Sequence, residues 1–215
     1  MRVIALEGVN SCGKSSIGSL IVRVLSAANH STILIDPAGF GPVGRVLRGQ
    51  IVNPSFQASA DLDALLFGAL RAEGAQMLKD ANCSEVSASS TIVLERWALA
   101  LSAYGAADLA RPQLIAELRR VLLSILNVDL TVLLDITGDL ALRRMVQIGN
   151  HNRFELRGAQ YLDEVAHWYR HFARREERTY VIDASGDVQQ TFEQVCVLLD
   201  SHGWQVHLPN SDPGT

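Results

Sequence analysis

The chain has 215 residues, 48% of them hydrophobic and 20% charged, with a formal net charge of −4. That size and balance suit one α/β domain with a full core and exclude a disordered chain, a collagen or a disulfide framework. The acidic balance argues against nonspecific nucleic-acid binding, and no apolar run reaches the ~18 residues of a membrane span.

The opening run Met1–Gly8 passes straight into a glycine loop, so it reads as a strand, Arg2–Glu7, rather than a signal peptide. Apolar spacing predicts a helix over Lys14–Ala28. A second strand, Thr32–Asp36, is stopped by Pro37, and Ala38–Gly44 reads as a glycine-rich loop before a short helix near Arg45–Val52. A long helix follows over Asp61–Leu78, opened by acidic residues that suit a helix N-terminus. Cys83–Ser90 is polar and turn-like, and Thr91–Glu95 is a third strand. Gln113–Leu126 is helical behind Pro112, a residue favoured in a first turn. Leu130–Asp135 is a fourth strand. Asp139–Val146 and Gly158–Glu177 are helical and flank a polar gap, Gln147–Leu156. Thr179–Asp183 is a fifth strand, Val188–Leu199 a last helix, and 201–215 a polar tail.

Short apolar strands alternating with helices predict a parallel sheet covered on both faces, a three-layer α/β/α arrangement, with residues 1–200 as a single domain. Ligands in such sheets sit at the carboxyl ends of the strands. The informative residues are therefore Gly8–Ser15, Asp36–Gly41, Glu95–Tyr104 and Asp135.

Gly8-Val-Asn-Ser-Cys-Gly13-Lys14-Ser15 fits the phosphate-loop pattern G-x-x-x-x-G-K-[ST], between a strand and a helix as the pattern requires. Its glycines let backbone N–H groups turn toward a phosphate, and the helix start adds partial positive charge. Gly8, Asn10, Ser11, Cys12, Gly13, Lys14, Ser15 and Ser16 are the candidate ATP-binding residues. Lys14 would reach the β/γ-phosphates and Ser15 a magnesium ion. Glu95-Arg96-Trp97 follows the third strand, where Arg96 suits a substrate phosphate and Glu95 a sugar hydroxyl or the metal's water shell. An ordinary strand-end ion pair would look the same. Only Lys14 and Lys79 of the 19 basic residues are lysines, and eight arginines fall between Arg143 and Arg178. Arginine forks grip phosphate oxygens in pairs, although arginine-rich codon usage would give the same count. The three cysteines, Cys12, Cys83 and Cys196, lack metal-ligand spacing and suit a reducing, cytoplasmic setting. The six histidines show no metal or triad spacing.

These motifs resemble, in order, those of the thymidylate kinase family of P-loop nucleoside monophosphate kinases. The family's E-G-x-D-G-x-G-K-[ST] is similar to Glu7–Ser15, its E-P-G-G to Asp36–Gly39, and its L-F-A-A-D-R-A to Leu66–Ala72. Its D-R-Y stretch resembles Glu95-Arg96-Trp97 with Ala103-Tyr104, its D-L-T strand Asp129–Asp135, and its lid D-R-x-E Asn152–Glu155. The resemblance implies a P-loop NTPase fold with a short lid at about 144–157, and transfer of phosphate from ATP with Mg²⁺ to a deoxypyrimidine monophosphate, most simply dTMP. It implies that Arg71 reads the base, that Phe67 or Phe40 packs near it, and that Arg48 and Arg96 hold the acceptor phosphate. It places Tyr104 beneath the deoxyribose and Asp36 near the acceptor and the metal's water. It also implies a homodimer packed through helices near Asp61–Leu78.

The chain departs from the family where Asn10 and Asn152 replace acids, Ser11 replaces a glycine and Glu95 an aspartate. The loop carries no arginine of its own. A cation on the transferring phosphoryl group would therefore come from the lid, with Arg153 the first candidate and Arg144 the second; a solvated helix face over Arg143–Arg157 is the plain alternative. Two other readings stand beside the monophosphate kinase. One is a deoxynucleoside kinase with Asp36 as general base, which also has a glutamate–arginine pair after its third strand. The other is a weakly active nucleotide-binding relative.

Overall fold

The computed structural model describes residues 1–28, 31–82, 90–149 and 152–206. Five strands form one all-parallel sheet: β1 (Arg2–Glu7), β2 (Thr32–Ile35), β3 (Thr91–Glu95), β4 (Leu130–Asp135) and β5 (Thr179–Asp183), in the order β2-β3-β1-β4-β5. The central strand β1 sets Ile4 beside Val93 on one side and Leu130 on the other. Both faces are covered, so side chains of β1 split by the period-2 rule. Ile4 and Leu6 enter a core with Ile17 and Ile21 of α1 (Lys14–Ala27) and Val195 of α9 (Val188–Ser201). Val3 and Ala5 enter a second core with Ala75 and Leu78 of α4 (Ala60–Asn82) and Leu122 of α6 (Pro112–Ile125). The three-layer α/β/α reading of the sequence is the architecture observed.

Three segments differ from expectation. The glycine-rich stretch after β2 is helical: α2 (Pro37–Phe40) runs into α3 (Pro42–Ile51). Each begins with proline, and Asp36 caps α2 by accepting a 3.1 Å hydrogen bond from the Ala38 N–H. Gly44 is there for packing, since a Cβ would meet the Ala38 carbonyl oxygen at 2.6 Å. The second difference is α5 (Ala98–Ala107), which has no counterpart among the predicted helices. Its sequence ALALSAYGAA is apolar nearly all round, as a fully enclosed helix must be, and so lacks an amphipathic period.

The polar gap is shorter than predicted. Helix α7 (Gly138–Ile148) continues through Gln147 and stops at the left-handed Gly149. A 3₁₀ turn, Glu155–Arg157, leads into α8 (Gly158–Ala173). At the C-terminus Trp204 is 4% exposed and packs in the larger core, with the Arg2 guanidinium 3.4 Å above its ring. The first tail residues are thus anchored; His207–Thr215 and most of the Cys83–Ser90 turn lie outside the described residues. No helix among the described residues is long and apolar enough to cross a membrane.

Candidate active site

The carboxyl ends of β1, β2 and β3 bring together three of the four places singled out in the sequence; the fourth, Asp135 at the end of β4, pairs with Arg170 at 2.8 Å. After β1 the chain turns through Gly8 (φ +134°), Ser11 (φ +59°) and Gly13 (φ +103°) into α1. Glycine is required at position 8, because a Cβ would lie 2.5 Å from the Leu134 carbonyl oxygen. Lys14 folds back over the loop and is 4% exposed. Its ammonium donates to the carbonyls of Gly8 (3.0 Å) and Val9 (2.6 Å) and to the Cys12 sulfur (3.2 Å). Burial, followed by the Arg96 charge, pulls its pKa below the ordinary lysine value. The Ser15 hydroxyl donates a 2.8 Å hydrogen bond to Glu95 Oε2.

Arg96 occupies a left-handed conformation (φ +65°), and its N–H is held by the Leu6 carbonyl at 2.9 Å. The next turn is fixed by Glu7, which is fully buried. Glu7 Oε1 accepts from the N–H groups of Trp97 (2.7 Å) and Ala100 (3.2 Å), and Oε2 accepts from the Tyr169 hydroxyl (3.2 Å). Burial raises the Glu7 pKa, opposed by these hydrogen bonds and by Arg71. The acid thus covers the open N–H groups at the start of α5 and ties the phosphate loop to the Arg96 turn.

Two cavities meet here. One is lined by Ser11, Gly13, Lys14, Ser15, Ser16, Glu95, Arg96, Arg144 and Glu155. The other, mostly apolar, is lined by Asn10, Ala38, Arg48, Asp63, Phe67, Arg96, Tyr104 and Phe154. Arg96 is common to both. In the second cavity the Phe154 ring sits 5.8 Å from Phe67 and 5.7 Å from Tyr104. The enclosed Tyr104 hydroxyl, Arg48 Nε and Arg71 Nε find no hydrogen-bond partner among the described residues. Tyr104 and Arg48 line this cavity and Arg71 does not; enclosed donors of this kind are costly to leave unpaired, and a polar guest in the cavity would relieve the first two.

Not every expected residue faces these cavities. Asn10, read as an ATP-binding residue, lines the mostly apolar cavity instead. Asp36 pairs with Arg48 at 2.6 Å while capping α2, so its carboxylate is already committed. Phe40 lies on α2 facing a separate groove with Asp36, Arg45 and Arg48, and Phe67 alone of the two lines the pocket. Arg71 is 5% exposed and sits behind the Phe67 ring, 5.6 Å from its centre. Arg144 stands in the first cavity, donating to the carbonyls of Ala184 (3.0 Å) and Gly186 (2.9 Å). Arg153 faces the other way: its guanidinium forks onto the Asp63 carboxylate and donates to the Ile51 carbonyl at 2.6 Å. Arg157 pairs with Asp108 and lies 3.4 Å over the Tyr161 ring.

Four acids at or beside the site escaped the sequence reading: Glu7 as an organiser, Asp63, Asp108 and Glu155. Glu7 and Glu155 lay inside motifs already singled out, but the partners that reveal their roles, Trp97 and Asn10, are remote in sequence, as are those of Asp63 and Asp108. Among the described residues no cluster of three His, Cys, Asp or Glu side chains is placed to hold a metal ion.

The family model described as thymidylate kinase matches residues 6–195. Thymidylate kinase of Pseudomonas syringae pv. syringae is 30% identical over 203 residues, covering 92% of this chain and 92% of its own. Thymidylate kinase of Legionella pneumophila strain Corby is 27% identical over 207 residues, with 94% and 96% covered. That of Rhodopirellula baltica is 26% identical over 202 residues, with 92% and 79% covered.

Proposed function

The chain belongs to the thymidylate kinase family, and we propose that it transfers the γ-phosphoryl group of ATP to dTMP, giving dTDP and ADP. The observation that carries this reading is Arg96, the one side chain among the described residues that lines both cavities, with Lys14 on the donor side and Arg48 on the acceptor side. Bringing two polyanionic phosphates together needs fixed cations between them, and this reaction asks little else of a protein.

ATP takes the cavity of the glycine loop. Its β- and γ-phosphates meet the loop N–H groups and draw the Lys14 ammonium away from the carbonyls that now occupy it. The acceptor monophosphate lies between Arg48 and Arg96, its base against Phe67; for Arg71, which lies over that ring and outside the cavity lining, to read the base, its guanidinium must turn toward the pocket. Tyr104 offers its unpartnered hydroxyl under the sugar. Ser15 and Glu95, hydrogen-bonded at 2.8 Å, are the residues that would hold a hydrated cation such as Mg²⁺. When bound, that ion neutralises charge on the transferring phosphates.

The lid spans about 144–157, from the last turns of α7 to the 3₁₀ turn. Arg144 already stands in the donor cavity and needs no rearrangement to meet a phosphate there, whereas Arg153 must first leave Asp63. We therefore place Arg144 ahead of Arg153 as the lid cation. The free thiols Cys12 and Cys196 suit a reducing, cytoplasmic setting. The outward faces of α4 and α6 expose Leu62, Leu65, Val121 and Leu123, apolar area that a homodimer would cover.

Asp36 bears on the deoxynucleoside kinase reading: a general base must be free to take a hydroxyl proton, and this carboxylate is paired with Arg48. A coupled ADP-release assay with ATP and, separately, dTMP, thymidine and deoxycytidine decides between the readings. Turnover with dTMP alone is expected; turnover with a nucleoside but not with dTMP overturns the proposal.

A further inference from the structure

Asn10 is 8% exposed and uses both ends of its amide. Its Oδ1 accepts from the Arg96 guanidinium, and its Nδ2 donates a 2.8 Å hydrogen bond to Glu155 Oε1. Glu155 Oε2 in turn accepts from the Asn152 N–H at 2.9 Å. Asn152 Oδ1 closes the turn by accepting from the N–H groups of Phe154 (3.0 Å) and Glu155 (3.2 Å). Asn152 and Glu155 thus form a reciprocal capping pair, three residues apart, at the start of the 3₁₀ turn. One continuous chain of hydrogen bonds runs from the arginine shared by the two cavities, through the phosphate loop, to the lid.

The amide at its centre serves both neighbours. Asparagine presents an acceptor to Arg96 and a donor to Glu155 from the same side chain. Aspartate, which has no donor, would satisfy Arg96 but set a second carboxylate against Glu155. The departure at position 10 therefore gives the loop a donor toward Glu155, the glutamate that the lid pattern shares with the family. Resting on the kinase reading above, we infer that Glu155 is a positioning residue: through Asn10 it docks the lid on the phosphate loop and sets Arg96 between donor and acceptor phosphates.

Two variants separate this role from simple capping of the turn. Asn10→Asp breaks only the link to Glu155 and leaves the cap and the Arg96 acceptor in place. Asn10→Asp combined with Glu155→Gln rebuilds everything. The oxygen of the amide introduced in the lid accepts from the Asn152 N–H, while its NH₂ donates to the carboxylate introduced in the loop. The readouts are hydrogen exchange at the amides of residues 153–157 and steady-state kinetics with ATP and dTMP, with thermal melts confirming that each variant folds. Loss of a hydrogen bond to a charged group predicts exchange about tenfold faster in Asn10→Asp, a matching fall in kcat, and recovery of both in the double variant. Unchanged exchange in Asn10→Asp, or a folded double variant that recovers neither quantity, overturns the inference. Exchange does not depend on turnover. A wild-type protein inactive on dTMP whose exchange still follows the swap would sink the kinase reading and leave the docking role standing.

Discussion

The carboxylate of Glu7, at the end of the first strand, accepts a 2.7 Å hydrogen bond from the backbone N–H of Trp97, just past the end of the third. That bond joins the phosphate loop to the left-handed turn that aims Arg96. Replacing Glu7 by alanine leaves the N–H groups of Trp97 and Ala100 buried and unpaired. It should cost about 2 kcal/mol of stability, read by denaturant unfolding, and lower kcat along with it. Because burial raises the folded-state pKa of Glu7 above its unfolded value, its ionisation opposes folding. This group's contribution is fully present below the ordinary glutamate range and is lost as pH rises through the raised value. Glu7→Gln should therefore flatten the stability profile across that window. An identical profile in the variant would show that Glu7 is not the group responsible.

Lys14 offers a second proton-linked test. Its pKa is depressed in the free protein by burial and by Arg96, and a polyphosphate in contact with the ammonium raises it again. ATP binding should take up a proton at alkaline pH and weaken as pH rises through the depressed value. Calorimetry in buffers of differing ionisation enthalpy measures that uptake directly. Lys14→Ala should abolish it and reduce transfer by about a hundredfold or more.

Tyr104→Phe distinguishes a ligand site from core packing. The hydroxyl has no partner among the described residues, so its removal should leave the melting temperature unchanged or raised. The KM for dTMP should rise, with little change in the KM for ATP. A fall in stability with an unchanged KM would assign the hydroxyl a structural role and remove it from the ligand site.

Arg144 and Arg153 are predicted to fail in different ways. Arg153→Ala strands the Asp63 carboxylate, which is 8% exposed, and should cost about 3 kcal/mol of stability. Arg144→Ala removes a cation held only by carbonyls at the donor cavity and should lower kcat with a far smaller stability change. Equal kcat losses at equal stability would erase the distinction.

The sheet and the glycine loop were legible because both are written locally. Buried parallel strands such as Ile4–Leu6 and Val132–Leu134 are continuous apolar runs, and the phosphate loop needs a fixed spacing of glycines. Helix α5 was not legible, since being enclosed on every side erased its period. The glycine-rich stretch read as loop was overruled by two prolines at helix starts and by close packing at Gly44. The positions of Arg71, Arg144 and Arg153 depend on acids and carbonyls remote in sequence. A motif names such residues but not the partners that hold them, as Arg153 on Asp63 shows.

Phosphorus NMR of the protein with ATP, magnesium and dTMP tests the central claim most directly. The predicted outcome is loss of the ATP γ-resonance with growth of the two coupled resonances of dTDP, absent in Lys14→Ala. An ATP spectrum that stays unchanged, or one that decays only when thymidine replaces dTMP, would contradict the account.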